Sequence, residues 1–230
     1  MKEILKKITK WLGFSSQFGR QMQFELLVLY VRGFANLRPK QRKLLSSFKD
    51  EHHKLNVGVG DIPFKGWVNV DGLPNPNADL WIDMRQLPLP FPDESVTCIF
   101  SEHFIEHLRR GEAEEFFNEC HRILVDGGAI RLITPDFMSF ARAYVEGDEE
   151  FYKVASPYEP KPIRGINLMM RQGGAHHYIF DSEELIDMLR GSGFSDVYQS
   201  ACGDSKFKDL DLDQTHELRV HESLYVEAVK

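Results

Sequence analysis

The sequence predicts an α/β fold built on a mostly parallel sheet with helices on both faces. From Lys54 onward, short apolar runs alternate with longer amphipathic segments, the pattern of strands joined by crossover helices. Polar residues follow several of these runs, as they do where open α/β sheets bind ligands. The length of 230 residues suits one large domain or a domain with an appendage, and a composition of 42% hydrophobic and 27% charged residues excludes collagen-like and fully disordered chains.

Charge is distributed unevenly along the chain. Residues 1–50 hold 11 basic and 3 acidic residues, a net charge of +8, whereas residues 51–230 carry −15. We therefore divide the chain into a basic helical extension, residues 1–50, and an acidic main domain, residues 51–230. The overall charge of −7 argues against a nucleic-acid partner, while the basic extension favours peripheral contact with an anionic membrane.

Two amphipathic helices are predicted in the extension. Apolar residues recur at helical spacing over residues 3–12, opposite three lysines, and Gly13 ends this segment. A second apolar segment, residues 24–34, has the same spacing. The simplest interpretation is a helical lid that packs on the main domain, and an interfacial membrane anchor is the alternative.

The cysteines and the apolar runs indicate in which cellular compartment the protein is expected. Cys98, Cys120 and Cys202 are widely spaced and odd in number, which favours neither a disulfide framework nor a cysteine-based zinc site. The apolar stretch at residues 26–31 is too short to span a bilayer, and no signal-peptide cleavage site is evident. We expect a cytoplasmic protein, with a membrane-peripheral location left open by the extension.

Five strands and one long helix are predicted in the first half of the main domain. The helix covers residues 111–124, where apolar residues share one face, and Asp126-Gly127-Gly128 is expected to end it. It leads into the last of the five strands. The predicted strands are residues 55–59, 67–70, 78–82, 96–101 and 129–134.

The second half of the main domain is less regular. Prolines and glycines are scattered over residues 141–175, which predicts a loop-rich insertion over a site. Ser182 is expected to cap a helix that ends near Gly191. Residues 196–201 and 223–229 complete the sheet as two further strands.

Candidate binding residues gather at the ends of successive predicted strands. The first strand ends in Gly58 and Gly60, where the absence of a side chain allows a ligand to approach the backbone. Asp71 ends the second strand, where a carboxylate can accept hydrogen bonds from both hydroxyls of a ribose. Asp83 follows the third strand, and Ser101 and His103 follow the fourth. The ordered set is far more specific than any one member.

These motifs, in this order, resemble the class I S-adenosylmethionine-dependent methyltransferases, in particular the type-11-like group met in polysaccharide and cell-envelope contexts. The resemblance runs from Lys54 to the C-terminus. It rests on residues 55–60 (LNVGVG), 66–71 (GWVNVD), 87–93 (LPLPFPD), 101–108 (SEHFIEHL), 127–128 (GG), 193–194 (GF) and 223–228 (SLYVEA).

The resemblance implies a Rossmann-like seven-stranded sheet whose last strand runs antiparallel between its neighbours. It implies S-adenosylmethionine as cofactor, with each contact assigned by position. Gly58 and Gly60 would face the methionine part, Asp71 the ribose, Asp83 and Met84 the adenine, and Ser101 and His103 the methionine side near the sulfonium.

Histidines are the candidate catalytic residues. Methyl transfer is an in-line displacement for which the protein supplies alignment and, for some acceptors, a base. His176 matches a histidine of the resembling proteins, and His177 and His103 are the other candidates. The alternative for His176 is a structural role that fastens its loop. The alternative for His103 is packing against the cofactor without a part in catalysis.

A zinc site is the competing interpretation of residues 103–107 (HFIEH). On a helix, His103 and His107 would lie one turn apart, with Glu106 as a base. We favour instead a hydrogen-bonding pair of Glu106 and His107 at a helix start, and we expect no metal.

The sequence thus predicts an S-adenosylmethionine-dependent methyltransferase acting on a small-molecule or sugar acceptor, at oxygen, in a pathway such as polysaccharide biosynthesis. An alternative is a methyltransferase-like scaffold that binds without turnover. A nicotinamide-dependent oxidoreductase is the other, disfavoured because a third glycine is missing and Asp71 follows Gly60 too closely. The oligomeric state is left open.

Overall fold

A seven-stranded sheet forms the centre of the molecule. The computed structural model describes residues 13–159 and 161–230. The strand order is β3-β2-β1-β4-β5-β7-β6. The strands are β1 (His53–Val57), β2 (Val68–Asp71), β3 (Leu80–Trp81), β4 (Val96–Glu102), β5 (Leu124–Pro135), β6 (Asp196–Ser200) and β7 (Ser223–Val229).

The strand directions confirm the predicted fold class. β1 pairs in parallel with β2 and β4, and β2–β3 and β4–β5 are parallel as well. β7 lies antiparallel between β5 and β6. All seven predicted strands are present, within a few residues at each end. The order and the reversed β7 form the Rossmann-like sheet that the resemblance implied.

Eight α-helices flank the sheet in the described residues. Two precede β1, one connects β4 to the parallel β5, and five follow β5. They are α1 (Ser16–Phe34), α2 (Pro39–Ser47), α3 (Arg110–Ile123), α4 (Phe137–Glu146), α5 (Glu149–Ala155), α6 (Pro162–Arg171), α7 (Ser182–Gly191) and α8 (Glu217–Glu222).

The extension packs on the sheet through α1 and α2. α1 begins earlier than the helix predicted at residues 24–34, because the Ser15 hydroxyl accepts a hydrogen bond from the Phe18 amide and caps it. Val28 and Val31 on its inner face are buried. The side chain of Gln41 in α2 bonds to both backbone groups of Trp81 in β3. The helix predicted at residues 3–12 lies outside the described residues.

The link between α3 and β5 differs from the prediction. Asp126-Gly127-Gly128 was expected to end the helix, but α3 ends at Ile123 and β5 begins at the next residue. Leu124 pairs with Val96, and pairing resumes only at Ala129 with Cys98, so the four residues 125–128 form a bulge inside the strand. Gly127 has a positive φ of 73°, which explains the glycine there.

Residues 141–175 are largely helical, so the predicted loop-rich insertion is wrong. Here the prolines and glycines mark helix ends. Gly147, with a φ of 72°, ends α4, and Pro162 begins α6. Gly165 is the exception, because a Cβ there would come within 2.7 Å of the Tyr152 ring and the helices could not pack so closely.

The cap of α7 is also one residue earlier than predicted. Asp181, not Ser182, accepts the hydrogen bond from the Glu184 amide, at 2.9 Å. Ser182 is the first helical residue. No helix in residues 13–159 and 161–230 has both the length and the apolar character that crossing a membrane requires.

Candidate active site

A cavity of about 770 Å³ lies at the carboxyl ends of β1 to β4. This volume is within the usual range of small-molecule sites, about 300–1,000 Å³. Four neighbouring parallel strands deliver their following residues to it, as open α/β sheets do. Of the predicted binding residues, it is lined by Gly58, Gly60, Asp71, Asp83, Met84 and His103.

The turn after β1 is shaped by its glycines. Gly58 has a φ of 77° and Gly60 a φ of 49°, both in the region that favours glycine. A Cβ on Gly58 would lie 2.7 Å from the Cβ of Phe104, so any larger residue would push the turn away from the segment after β4. Both segments line the cavity.

The carboxylate of Asp71 is held in place at the end of β2. Its Oδ1 accepts a hydrogen bond from the Leu73 amide at 3.0 Å, and its Oδ2 accepts one from the Asn75 side chain at 2.7 Å. Asn75 also donates to the carbonyl of Gly60 at 2.7 Å, which ties the turn after β1 to β2. Each carboxylate oxygen keeps a lone pair for a ligand.

Asp83 is engaged by two arginines. Its Oδ2 accepts from Nε of Arg32 at 2.9 Å, and its Oδ1 accepts from Nε of Arg85 at 3.0 Å. Burial raises the pKa of Asp83, but the two guanidiniums lower it more, so the carboxyl is ionised well below neutral pH. Met84 is buried and supplies apolar surface. The predicted adenine contact of Asp83 would have to be shared with these arginines.

Ser101 and His103 occupy different positions relative to the cavity. Ser101 is buried within β4, does not line the cavity, and its hydroxyl makes no hydrogen bond within the described residues. His103 has a φ of 49°, which turns the chain so that its ring reaches the cavity. Its Nε2 lies 3.0 Å from the hydroxyl of Ser223, and its Nδ1 lies 3.4 Å from Oε1 of Glu106.

The two neighbouring histidines before α7 diverge. His177 is exposed and lines the cavity, together with the glycines of residues 173–174. His176 points away from the cavity and is buried, with its Nδ1 bonded to the carbonyl of Met169. Burial lowers the pKa of His176 more than the nearby Glu106 carboxylate raises it. The geometry therefore favours His103 and His177 over His176 as groups that can reach a ligand.

The one-turn pairing of His103 and His107 required by the zinc interpretation is not formed. Residues 105–107 form a single 3₁₀ turn rather than an α-helix, and His103 precedes it in a left-handed conformation. The expected Glu106–His107 pair is not formed either, because Nδ1 of His107 bonds to the carbonyl of Ala175 at 3.0 Å. Burial raises the pKa of Glu106, but the neighbouring His103 and His107 imidazoles lower it more.

A second, smaller cavity of about 230 Å³ adjoins the first at Gly58, Gly60 and His103. Its wall mixes apolar and polar residues and includes Glu102 and Arg219. Oε1 of Glu102 lies 3.1 Å from Nε of Arg219. His103 lines both cavities and therefore lies where they meet.

Helix α1 supplies cavity-lining residues that the sequence did not reveal. Phe18, Phe24 and Val28 line the cavity together with Asp71 and Met84. The helical period at residues 24–34 indicated that one face would be buried. It could not indicate the surface against which that face packs.

Residues 74–132 match the family model described as a methyltransferase domain. The match spans the segment from the end of β2 to β5, which includes Asp83, His103 and Glu106. The strand order, in which a reversed β7 lies between β5 and β6, is the Rossmann-like order that the resemblance implied. The chain has a methyltransferase fold. S-adenosylmethionine is the cofactor that the resemblance implies. A search of curated protein sequences returns no match.

Solved methyltransferase structures are similar to this chain at low sequence identity. One is a SAM-dependent methyltransferase from Archaeoglobus fulgidus, 16% identical, covering 90% of this chain and 99% of its own, with a TM-score of 0.48. Another is the 1,6-didemethyltoxoflavin-N1-methyltransferase of Burkholderia thailandensis, 11% identical, covering 94% and 90%, also with a TM-score of 0.48.

The residues of this methyltransferase fit the cofactor. Gly58 and Gly60 leave backbone open to the cavity, and the fixed carboxylate of Asp71 has lone pairs free for hydroxyl donors. Met84 and the aromatic rings of α1 give the cavity an apolar wall suited to a flat base. These features lie around one chamber of adequate volume.

Proposed function

We propose that this methyltransferase transfers a methyl group to a hydroxyl of a small polar acceptor such as a sugar or glycan. The observation that carries the proposal is the junction at His103, where the cavity suited to the cofactor adjoins a smaller one that contains the side chains of Glu102 and Arg219. Glu102 and Arg219 in the smaller chamber offer the charged partners that hydroxyl groups bind. A role in polysaccharide biosynthesis is consistent with such an acceptor.

We assign the cofactor contacts by their place around the larger cavity. The backbone of Gly58 and Gly60 would hold the methionine part, and the Asp71 carboxylate would accept both ribose hydroxyls. Bound S-adenosylmethionine supplies a methyl group that its sulfonium has already activated. The protein's remaining task is to align the acceptor and to take its proton.

His103 is the proposed acceptor of that proton. Its Nδ1 lies beside the Glu106 carboxylate, which orients the ring and stabilises it when protonated. Its Nε2 would then carry the lone pair, at present directed to the Ser223 hydroxyl. An acceptor hydroxyl in the smaller cavity would compete with Ser223 for this nitrogen. His177 lines the larger cavity and not the smaller one, so it would contact the cofactor rather than take the acceptor's proton.

Titration calorimetry with S-adenosylhomocysteine tests the cofactor assignment without an acceptor. We expect one binding site per chain. Asp71→Asn should weaken binding by about 10- to 100-fold, because each hydrogen bond to a charged group contributes about 1.5–3 kcal/mol. Asp61→Asn is the matched control, since Asp61 is exposed and lines only the smaller cavity. Equal affinities of the two variants would remove the ribose assignment.

The acceptor class is tested by turnover. The full chain is incubated with S-adenosylmethionine and a panel of sugars, small phenols and amines, and release of S-adenosylhomocysteine is measured. We expect sugars to be methylated and His103→Asn to lower kcat by about 100-fold or more, the usual contribution of a general base. Turnover with amines alone would contradict the oxygen assignment.

We further propose a cytoplasmic protein that contacts anionic membranes through residues 1–50. In the described part of this segment, Leu29 is 59% and Leu37 67% exposed, on a strongly basic stretch of chain. Leu29→Glu with Leu37→Glu should weaken sedimentation with phosphatidylserine vesicles by about tenfold. The control is Val145→Glu, at a position 85% exposed in α4. Unchanged sedimentation of the double variant would contradict the proposal.

A further inference from the structure

Three metal-ligating side chains converge beside the larger cavity. Glu106 and His107 come from the 3₁₀ turn after β4, and His176 comes from the segment before α7. One ligand atom from each lies within 4.8 Å of the others. The two imidazole rings meet edge to face, with their centroids 5.0 Å apart.

Hydrogen bonds fix the tautomers of both imidazoles. Nδ1 of His107 faces the carbonyl oxygen of Ala175 at 3.0 Å, and Nδ1 of His176 faces that of Met169. A carbonyl oxygen only accepts, so each Nδ1 carries the proton and each Nε2 carries a lone pair. A backbone carbonyl on the far nitrogen is the usual support of a metal-binding histidine.

Two buried atoms of the cluster have no hydrogen-bond partner in the described residues. They are Nε2 of His176 and Oε1 of Glu106, and they face each other at 4.0 Å. This distance is too long for a hydrogen bond, and burying two unpaired acceptors is costly. The nearest donor to Oε1 is Nδ1 of His103, at 3.4 Å. A cation between the two acceptors would satisfy both.

We propose that Glu106, His107 and His176 bind a divalent transition-metal ion of the zinc type. Two imidazoles and one carboxylate are a known zinc ligand set, which leaves a fourth position open. Zinc bonds of about 2.0–2.2 Å place neighbouring ligands about 3.4 Å apart, so the side chains would close by roughly 1 Å around the ion.

The surroundings suit such an ion. The hydroxyl of Thr134 donates to Oε2 of Glu106 at 3.3 Å, which orients the carboxylate. His107 also lines the larger cavity, so the ion would lie against the cavity wall. This site is not the zinc site considered from the sequence, which would pair His103 with His107. Here His107 is paired with His176, which lies 69 residues further along the chain.

Zinc titration of the untagged full chain, first stripped with a chelator, tests the site. We expect one Zn²⁺ bound per chain, and weakening of at least about tenfold in His107→Ala and in His176→Ala. His52→Ala is the matched control for adventitious binding, because His52 is exposed at the opposite end of β1. Its affinity should equal that of the unmodified chain.

Absence of stoichiometric zinc, or equal affinity in the two cluster variants and the control, would overturn the proposal. Circular dichroism checks that each variant folds. If the variants do not fold, the visible spectrum of Co²⁺ added to the unmodified chain decides: a tetrahedral spectrum supports the site, and that of the aqueous ion overturns it. The titrations contain no S-adenosylmethionine, so their failure leaves the proposed methyl transfer untouched.

Discussion

The guanidinium of Arg32 in α1 binds the carboxylate of Asp83 after β3, with Nε 2.9 Å from Oδ2. The two residues are 51 positions apart in the chain, so this ion pair fastens the basic extension to the edge of the cofactor cavity. The same helix contributes Phe24 and Val28 to the cavity wall. The extension is therefore part of the binding site as well as a cover over it.

Removing this ion pair should loosen α1. We expect Arg32→Gln to lower the free energy of unfolding by about 1 kcal/mol, since Arg32 is partly exposed and the pair is partly screened. Amide hydrogen exchange in residues 16–34 should accelerate, because the helix keeps fewer contacts with the sheet. Arg42→Gln, an exposed arginine of α2, is the control. Equal exchange in both variants would contradict this role of Arg32.

The lowered pKa of Asp83 predicts a pH-dependent contribution to stability. The arginines favour the ionised carboxyl in the folded state, so its contribution is complete above the unfolded pKa of about 3.9 and is lost as the pH falls through the lower folded value. We expect Asp83→Asn to cost about 1–3 kcal/mol at pH 7. In urea unfolding, the difference in the free energy of unfolding between Asp83→Asn and the unmodified chain should become smaller below about pH 4. A difference that does not change with pH would contradict the assignment.

The strands could be predicted because buried strands consist mainly of apolar residues, which are visible in the sequence. β4 and β7 bury nearly every residue, so each is a short, almost continuous apolar run, and such runs are typical of sheets covered on both faces. The bulge in β5 was missed because a pair of glycines signals a helix end and a bulge equally well. Only the pairing of Leu124 with Val96 distinguishes the two.

The site was harder to predict from the sequence than the sheet. Gly58, Asp71 and His103 could be placed because strand ends in a parallel sheet share one edge. His176 and His177 are adjacent in sequence, yet one is buried and the other faces the cavity. Their difference depends on how the chain leaves α6, where Gly173 adopts a φ of 66°. No local pattern carries that information.

Gly58 should tolerate no side chain. Gly58→Ala adds a Cβ that meets Phe104 at 2.7 Å, whereas Gly66, with a similar φ of 80°, has no atom within 4 Å of an added Cβ. We expect Gly66→Ala to cost about 1–2 kcal/mol through backbone strain alone, and Gly58→Ala about 1–3 kcal/mol more. Affinity for S-adenosylhomocysteine should fall only in Gly58→Ala. Equal stabilities of the two variants would show that the contact with Phe104 relaxes freely.

A buried ion cluster holds a segment that lines the smaller cavity. The Arg131 guanidinium in β5 binds Asp213 and Glu227, and all three side chains are almost fully buried. The next residue, Gln214, lines the smaller cavity. We expect Arg131→Met to cost about 3–5 kcal/mol in urea unfolding, because it leaves two carboxylates buried without a counter-charge. The control is Lys206→Met, which removes one partner of an exposed ion pair and should lower the free energy of unfolding by less than about 1 kcal/mol. A similar loss of stability in the two variants would contradict the view that burial makes the Arg131 cluster costly to break.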